Sequence, residues 1–294
     1  MRRLGALLVA LMLVLTGAGC AEEPTVKIGV IEPLSGVYAA AGQTEYQGIL
    51  EAIKERPMLG DRRVELVTAD NLSTPEGAKA AAEQLVQADV ELVIGSWGSS
   101  LAAAAVEVLD KAGIPAVATT AVIYDNDSYF GLGLAESWQG AALAALAAEQ
   151  GWERVAVIYD AQSDYDIAIR NAFIEAAGRE RICAEALVDG NLADCVAAME
   201  QAQADALLVP SLADEVQASC AVMGGDVCEG AAVYRAVYGK VSDVGYDAYQ
   251  VAMAMLEGKT ACDGRTGRLE WQAGFGRTAY LLHTPDGVKR VELS

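Results

Sequence analysis

The chain has 294 residues, of which 53% are hydrophobic and 21% charged, and its formal net charge at pH 7 is −20. This length accommodates two modest domains or one large one, and the composition is that of a folded protein. So acidic a surface repels phosphate backbones, which argues against nucleic acid as a partner, and the single histidine excludes any mechanism that needs two imidazoles. Solubility alone explains the charge, and a cationic partner is the alternative.

The first twenty residues have the pattern of a secretory signal. Arg2 and Arg3 form a positive start, residues 4–15 are apolar, and small residues precede Cys20. The apolar run is shorter than the roughly 20 residues of a transmembrane helix, and no later stretch is long and apolar enough to span a membrane. Small residues before a cysteine resemble the bacterial lipobox, in which the cysteine is acylated. We predict a signal peptide at 1–19 and an acylated cysteine with a polar tether at 20–25; the alternative is ordinary cleavage with Cys20 as an incidental thiol.

The first half of the mature chain alternates predicted strands and helices. Thr74, Pro75 and Glu76 form a typical helix start, with a capping hydroxyl, a proline at the first helical position and an acid in the first turn. Short apolar strands between such helices indicate a parallel sheet covered on both faces. Strands are predicted at 26–31, 63–67, 91–94 and 114–118, and helices at 42–56, 75–88 and 100–112.

The same rhythm restarts after residue 134 and predicts a second α/β unit. An extended segment at 129–134 precedes strands at 155–159, 182–187 and 206–209; helices are predicted at 138–150, 167–177, 193–203, 214–223 and 246–256, and closing strands at 268–271, 278–283 and 288–292. The fold class is therefore α/β, with two doubly wound parallel-sheet lobes and a hinge near 132–136. Such sheets bind ligands at the carboxyl ends of their strands, so facing edges form a cleft.

Five cysteines follow Cys20. In an oxidising, exported compartment disulfides are the default. Sequence neighbours are the expected pairs, Cys183 with Cys195 and Cys220 with Cys228, which leaves Cys262 unpaired. Without C-x-x-C spacing and with one histidine, no metal site is expected.

Several stretches of the chain resemble one known family. Residues 26–38, which run from Val26 to Tyr38 and are followed by Gly42, closely resemble the first strand and loop of the leucine/isoleucine/valine-type (type I) periplasmic substrate-binding proteins of bacterial ABC importers. Further matches come in the family's order at 60–67, 70, 93–100, 112–117, 155–160, 165, 234–239 and 245–249, the last two resembling late helices. One departure is that roughly two strands and a helix of the family's second lobe are missing between Gly225 and Ala231, so we expect a shortened second lobe.

The resemblance implies how the chain is divided and what it does. The first lobe comprises 26–134 plus about 240–272, and the second, truncated lobe comprises 135–239 plus about 273–294. The implied protein is not an enzyme: it is exported and lipid-anchored to the cell membrane or outer membrane, and it captures a small polar ligand, an amino acid above all, for an ABC permease of the inner membrane. No cofactor is expected.

The resemblance also implies a ligand site. Ser99 and Ser100 lie at a strand-to-helix turn, where free N–H groups and hydroxyls suit an α-carboxylate; a plain helix cap is the alternative. Thr119 and Thr120 end the fourth strand, where the family uses small and hydroxyl residues, and an ST-turn is the alternative. Glu136, at the hinge, matches a family acid and either accepts from an α-ammonium or holds the hinge.

Four further residues complete the predicted site. Ser35 and Tyr38 lie on the first loop after a strand and face the cleft of the predicted fold. Trp97 lies in the ligand loop, where it either shrinks the pocket, offers a stacking face or packs in the core. Tyr165 is placed to close over the ligand as a flat lid, with an exposed loop as the alternative. Closure about the hinge would then desolvate the polar contacts.

Two other classes of function remain as alternatives. A sensor or regulatory lipoprotein would keep the two lobes but contact a partner protein, which a shortened second lobe and extra cysteines favour. An enzyme is disfavoured because the sequence has no nucleophile elbow, Walker loop or H-E-x-x-H motif, and His283 precedes a turn in the terminal strands, where a structural role is expected.

Overall fold

The computed structural model of the chain describes residues 24–123, 126, 128–188, 190–228, 230–237, 239–271, 276–277 and 279–292. The predicted signal peptide and Cys20 lie outside the described residues. None of the helices in these ranges has the length and apolar character that a membrane crossing requires.

The first sheet is built from the alternating strands and helices of the first half of the chain. Its strands are β1 Thr25–Glu32, β2 Met58–Leu59, β3 Arg62–Asp70, β4 Leu92–Ile94, β5 Ala116–Ala118 and β6 Tyr129–Gly131, in the spatial order β2-β3-β1-β4-β5-β6. All neighbours are parallel except β2, which pairs antiparallel with β3. The side chains of β1 are almost all buried, because helices cover both faces of the sheet.

Four helices flank this sheet: α1 Ala39–Glu55, α2 Pro75–Gln87, α3 Ser99–Ala112 and, from the C-terminal part of the chain, a helix at Val241–Leu256, numbered α7 below. Helix α2 begins as predicted, with the Thr74 hydroxyl accepting from the Gly77 N–H at 3.0 Å. The late helix packs closely along α1 because both helices have a glycine at the contact. A Cβ added to Gly48 of α1 would lie 1.8 Å from the Ser242 carbonyl oxygen, and a Cβ added to Gly245 of the late helix would lie 2.0 Å from the Glu45 carbonyl oxygen. The chain therefore returns to its first sheet after building the second.

The second sheet has seven strands. They are β7 Val155–Tyr159, β8 Ile182–Leu187, β9 Ala206–Leu208, β10 Ala221–Met223, β11 Val233–Val237, β15 Ala279–Thr284 and β16 Gly287–Glu292, in the spatial order β16-β15-β11-β10-β9-β7-β8. The first five are parallel, and the closing β15–β16 hairpin joins antiparallel beside β11. Its helices are α4 Glu136–Glu149, α5 Asp164–Ala177 and α6 Leu192–Gln201, so α7 is Val241–Leu256. A small antiparallel sheet, β12 Ala261–Gly264, β13 Gly267–Glu270 and β14 Gly276–Arg277, follows α7.

Two predicted helices are wrong. The segment 214–223 contains one turn of 3₁₀ helix, Ala213–Glu215, and strand β10; the segment 234–239, matched to a late helix, instead contributes β11. Periodicity does not distinguish a short apolar run in a helix from one in a buried strand. Here the two runs pair with each other, Met223 opposite Tyr234, inside the sheet, and that pairing decides their structure.

The connection between β10 and β11 is short. It comprises residues 224–232, and the part of it that the structure describes contains no helix. Parallel neighbours are normally joined by a dozen or more residues, including a helix. This is the place where a shortened second lobe was predicted.

The five described cysteines are free thiols, so the predicted disulfides Cys183–Cys195 and Cys220–Cys228 are not formed in this structure. Each predicted pair is split between elements: Cys183 is in β8 and Cys195 in α6, whereas Cys220 directly precedes β10 and Cys228 lies in the connection after it. All four pack on one hydrophobic cluster of the second sheet. Burial raises the pKa of the Cys228 and Cys262 thiols to about 11, which keeps both protonated and unreactive.

Candidate ligand-binding site

Most predicted first-lobe site residues lie at one edge of the first sheet. Strands β1, β4 and β5 are parallel, so the loops that follow them, 33–38, 95–98 and 119–123, emerge at the same edge. These loops contain Ser35, Tyr38, Trp97, Thr119 and Thr120. Adjacent strands thus bring together residues that are far apart in sequence.

An aromatic pair stands on this edge. The rings of Tyr38 and Trp97 lie 4.6 Å apart between centroids with a 38° tilt. A hydrogen bond fixes the backbone of each residue. The Tyr38 N–H donates to the Ser73 hydroxyl at 3.1 Å, and the Trp97 N–H donates to Glu32 Oε2 at 2.9 Å. Tyr38 is 42% exposed, and Trp97 is half-buried. The pair is a preformed apolar face that solvent, or a ligand, can reach.

Ser35 lies in a loop that a carboxylate holds in place. Asp70 Oδ1, at the end of β3, accepts from the N–H groups of Leu34 at 3.0 Å, Ser35 at 3.2 Å and Leu72 at 2.9 Å. Burial alone would raise the pKa of Asp70, but these bonds and one to the Ser35 side chain lower it below its usual value. Asp70 is therefore ionised at neutral pH and fixes the loop. Ser35 itself is exposed, and its contact with a ligand stays a prediction.

Two buried glutamates lie behind this edge, and the sequence prediction missed both. Glu32 ends β1, and Glu45 lies in the second turn of α1; both are wholly buried. The Thr119 hydroxyl donates to Glu32 Oε1 at 3.2 Å, and the Thr120 hydroxyl donates to Glu45 Oε1 at 2.8 Å. In this structure the two threonine hydroxyls thus point to carboxyl groups. The signal available in the sequence was an acid directly after the apolar run 28–31 of the same strand.

The two carboxyl groups share an unusual electrostatic environment. Burial raises the pKa of Glu32 well above its usual range, and the charge of Glu45 raises it further. Burial raises the pKa of Glu45 to about 7. With both groups ionised, Glu45 Oε2 has no hydrogen-bond partner among the described residues. A proton on Glu32 allows the two carboxyl groups to hydrogen-bond to each other. The pair therefore retains at least one proton at neutral pH.

The phenol of Tyr129 is buried beside this carboxyl pair. Its hydroxyl has no partner among the described residues, and burial, with the charges of Glu32 and Glu45, raises its pKa well above the usual value. Within the described ranges, no group of three or more His, Cys, Asp or Glu side chains has the arrangement of a metal site. Glu32, Glu45 and Tyr129 thus form a neutral or singly charged polar cluster behind the aromatic face.

The predicted serines lie at the start of α3. The helix begins at Ser99 with Gly98 as its N-cap, and no side chain caps it. Ser99 Oγ accepts from the Val122 N–H at 3.1 Å, which ties the helix start to the loop after β5 and leaves the hydroxyl hydrogen to be donated elsewhere. Ser100 is exposed. The plain-cap alternative is therefore not observed, and an anion-binding role of the helix start stays a prediction.

Of the predicted second-lobe residues, Tyr165 belongs to a hydrogen-bond network separate from the first-sheet edge. The Tyr165 hydroxyl lies 3.1 Å from Gln139 Oε1 and 2.6 Å from Asp226 Oδ1, and the Asp226 N–H donates to Gln139 Oε1 at 2.9 Å. Tyr165 is thus already bound between α4 and the loop after β10. Glu136 is the first residue of α4 and is half-buried. Gln139 and Asp226 were not predicted, because nothing in their local sequence marks them.

Two mostly parallel sheets, the first of which carries fixed polar and aromatic loops at its carboxyl edge, are the architecture of a two-lobed α/β solute-binding protein. The family model described as "Periplasmic binding protein" matches residues 25–220. The chain therefore belongs to the periplasmic binding protein family. The predicted fold class and the resemblance to leucine/isoleucine/valine-type binding proteins are both confirmed.

Individual relatives agree with this assignment. The chain is 30% identical over 181 residues to "Leu/Ile/Val-binding protein homolog 6" of Brucella abortus (strain 2308), covering 58% of this chain and 46% of that protein. It is 35% identical over 96 residues to "Amino acid binding protein" of Pseudomonas aeruginosa, covering 31% of this chain and 26% of that protein. The match thus spans about half the length of the first of these curated relatives, and a smaller part of the second.

Solved structures show the same fold. The branched-chain amino acid transporter substrate binding protein of Streptococcus pneumoniae, in complex with isoleucine, superimposes with a TM-score of 0.81 at 21% identity, covering 92% of this chain and 100% of that chain. A solute-binding protein of an R. palustris ABC transporter, in complex with 4-hydroxybenzoate, gives a TM-score of 0.75 at 17% identity, covering 92% and 96%. At such identities the likeness concerns the fold alone.

Proposed function

We propose that this protein is the extracytoplasmic receptor of an ABC importer and that it captures a small polar ligand of the amino-acid class. The observation that carries the proposal is the first-sheet edge, where fixed loops present an aromatic pair beside the start of α3. Family membership and the names of the relatives support the transport role. In this role the protein binds and releases its ligand and performs no chemistry on it.

The proposed lobes are 26–134 plus about 240–272, and 135–239 plus about 273–294. The packing of α7 on α1 and the pairing of β15 with β11 support this division. A ligand would bind the first-lobe loops, and closure about residues 132–136 would bring Glu136 and Tyr165 over it. Closure excludes water from the polar contacts, and the permease would recognise the closed form.

A ligand screen tests the proposal. We expect at least one amino acid to raise the thermal midpoint of the mature protein, made without residues 1–19 and with Cys20 replaced by serine. A ligand at 100 times its Kd stabilises the folded state by about 2.7 kcal/mol, a shift of a few degrees. Ser99→Ala should abolish the shift, because it removes a hydroxyl at the helix start.

Ser219→Ala is the matched control for this screen. It also removes a serine hydroxyl, which donates to Glu200. Ser219 lies just before β10, at the opposite end of the strands from the candidate site. The ligand-induced shift should survive in this variant. A well-folded protein whose midpoint responds to no amino acid or small carboxylate would contradict the capture proposal.

The proposed lipid anchor is tested by fractionation. We expect the full-length protein to partition with membranes and the Cys20→Ala variant to be exported without its acyl chains, because several buried chains at about 0.8 kcal/mol per methylene anchor a protein firmly. Equal membrane association of both proteins would reject acylation at Cys20. Lys289→Ala, a substitution in the terminal hairpin, serves as the control and should remain with the membranes.

A sensor or regulatory lipoprotein is the second candidate. The observations that favour it are the short connection between β10 and β11 and the Tyr165 hydroxyl, which is already bound to Asp226. Both would follow if the second lobe contacted a partner protein instead of a ligand. If no ligand shifts the thermal midpoint of a folded protein, the sensor or regulatory function is better supported than ligand capture.

A further inference from the structure

The loops around the candidate site contain no basic residue. The segments that follow strands β1 and β3 to β10 contain no Lys, Arg or His in the sequence. These segments are residues 33–38, 71–74, 95–98, 119–128, 132–135, 160–163, 188–191, 209–220 and 224–232. The first basic residue after a parallel strand is Lys240, beyond β11. A ligand whose main polar group is an anion would therefore meet backbone N–H groups and hydroxyls at these loops, but no cationic side chain.

Acidic groups are placed at the same edges. Asp70 is the last residue of β3, and the carboxyl group of Glu32 lies directly behind the ligand loop, because it accepts the Trp97 N–H at 2.9 Å. Glu45 lies behind Glu32, and this buried pair retains at least one proton at neutral pH. On the second sheet, Asp160 and Asp226 follow β7 and β10. The acidic side chains at these edges, together with at most one charge on the buried pair, favour a positively charged ligand.

The aromatic pair supplies the matching contact surface. A cation over the face of a tryptophan or tyrosine ring is attracted by the ring's quadrupole, most strongly for tryptophan. Tyr38 and Trp97 are held through their backbones, so their rings need little reordering to receive a ligand. The same chain already uses this interaction elsewhere, because the Arg265 guanidinium lies 3.8 Å from the centroid of the Tyr246 ring.

We infer that the ligand carries a positively charged nitrogen beyond the α-ammonium group common to all amino acids, in a cationic side chain or an alkylated ammonium or guanidinium group, and that this nitrogen lies against the Tyr38–Trp97 ring pair. The inference rests on the proposed function and narrows it. An amino acid would qualify through a cationic side chain or an alkylated amine, whereas a branched aliphatic side chain would leave the acidic surroundings unmatched. Any carboxylate would be held by the N–H groups at the start of α3.

The test compares cations with neutral molecules of the same shape by titration calorimetry on the mature protein. The probes are arginine against citrulline, choline against 3,3-dimethylbutan-1-ol, and leucine as the aliphatic amino acid. We expect the cation of at least one pair to bind about tenfold more tightly than its neutral counterpart. That preference should weaken as salt is added, because the attraction is screened.

Ring variants locate the effect. Trp97→Phe keeps an aromatic face and should retain most of the cation preference, whereas Trp97→Leu should lose it. If Trp97→Leu does not fold, as judged by circular dichroism, Tyr38→Leu at the exposed ring replaces it and Tyr38→Phe serves as its control. A cation preference that survives loss of either ring would overturn the inference.

The outcomes also separate this inference from the proposed function. If leucine binds and neither cation exceeds its neutral partner, amino-acid capture stands and the cation inference is wrong. If a folded protein binds none of these probes, the cation inference is wrong, and the proposed function fails as well when the full amino-acid screen also gives no shift.

Discussion

Replacing Glu45 by glutamine is expected to raise the free energy of unfolding at pH 8 by roughly 3 kcal/mol and to leave it nearly unchanged at pH 4.5. The reason is the burial of this carboxyl group behind the ligand loop, which raises its pKa from 4.5 to about 7. Glutamine has no charge to bury. Its oxygen can still accept from Thr120, and its amide can donate to Glu32, which lies in hydrogen-bonding contact with Glu45.

The direction of the pH dependence follows from proton binding. Between pH 4.5 and about 7 the folded protein keeps a proton on Glu45 that the unfolded chain has lost. Stability from this group is therefore fully present below pH 4.5 and is lost as the pH rises through 7. The pKa of Glu32 is also raised, so its contribution continues to fall at higher pH. Wild-type stability should thus decline from pH 5 to pH 8, and the variant should decline less.

Urea denaturation at pH 4.5, 6 and 8 measures these differences. Glu83→Gln is the matched control, because Glu83 is exposed on α2 and its replacement should not alter the pH profile. An equal loss of stability at all three pH values in the Glu45 variant would show that the carboxyl group is needed for its hydrogen bonds and carries no burial penalty. A change in the unfolding midpoint of the Glu83 control would reveal any general effect of removing one negative charge.

Gly245→Val is expected to destabilise the protein by roughly 3 kcal/mol or more. At this position on α7, a Cβ would lie 2.0 Å from the Glu45 carbonyl oxygen, far inside van der Waals contact. The clashing atom belongs to the backbone of α1, so it cannot rotate away, and the two helices must separate. Separation would also disturb Glu45, whose side chain depends on the position of α1.

Urea denaturation at pH 6 with Gly190→Val as the control tests this prediction. A Cβ at Gly190 would meet nothing within 4 Å, so its replacement should change the free energy of unfolding by well under 1 kcal/mol. A loss in the Gly245 variant no larger than in the control would mean that α1 and α7 separate without cost. It would then remove the support that this contact lends to the proposed first lobe.

Much of the fold could be predicted from local sequence. The apolar run of β1 and the capped start of α2 carry strong local signals, and both elements form where they were predicted. The segment 214–223 could not be assigned, because a short apolar run becomes a strand only when neighbouring strands accept its hydrogen bonds. The predicted cysteine pairs are not formed for a related reason: cysteines near in sequence belong to different elements, whose placement the sequence spacing does not give.

The sequence by itself determined the alternation of strands and helices, and hence the sheet edge at which the site residues gather. It also determined that the loops at this edge contain acids but no bases. Only the tertiary structure decided that Thr119 and Thr120 donate to Glu32 and Glu45 and that Tyr38 meets Trp97. These contacts join residues from loops and helices far apart in the chain, so their geometry exists only once the parallel strands pair and α1 packs on the sheet.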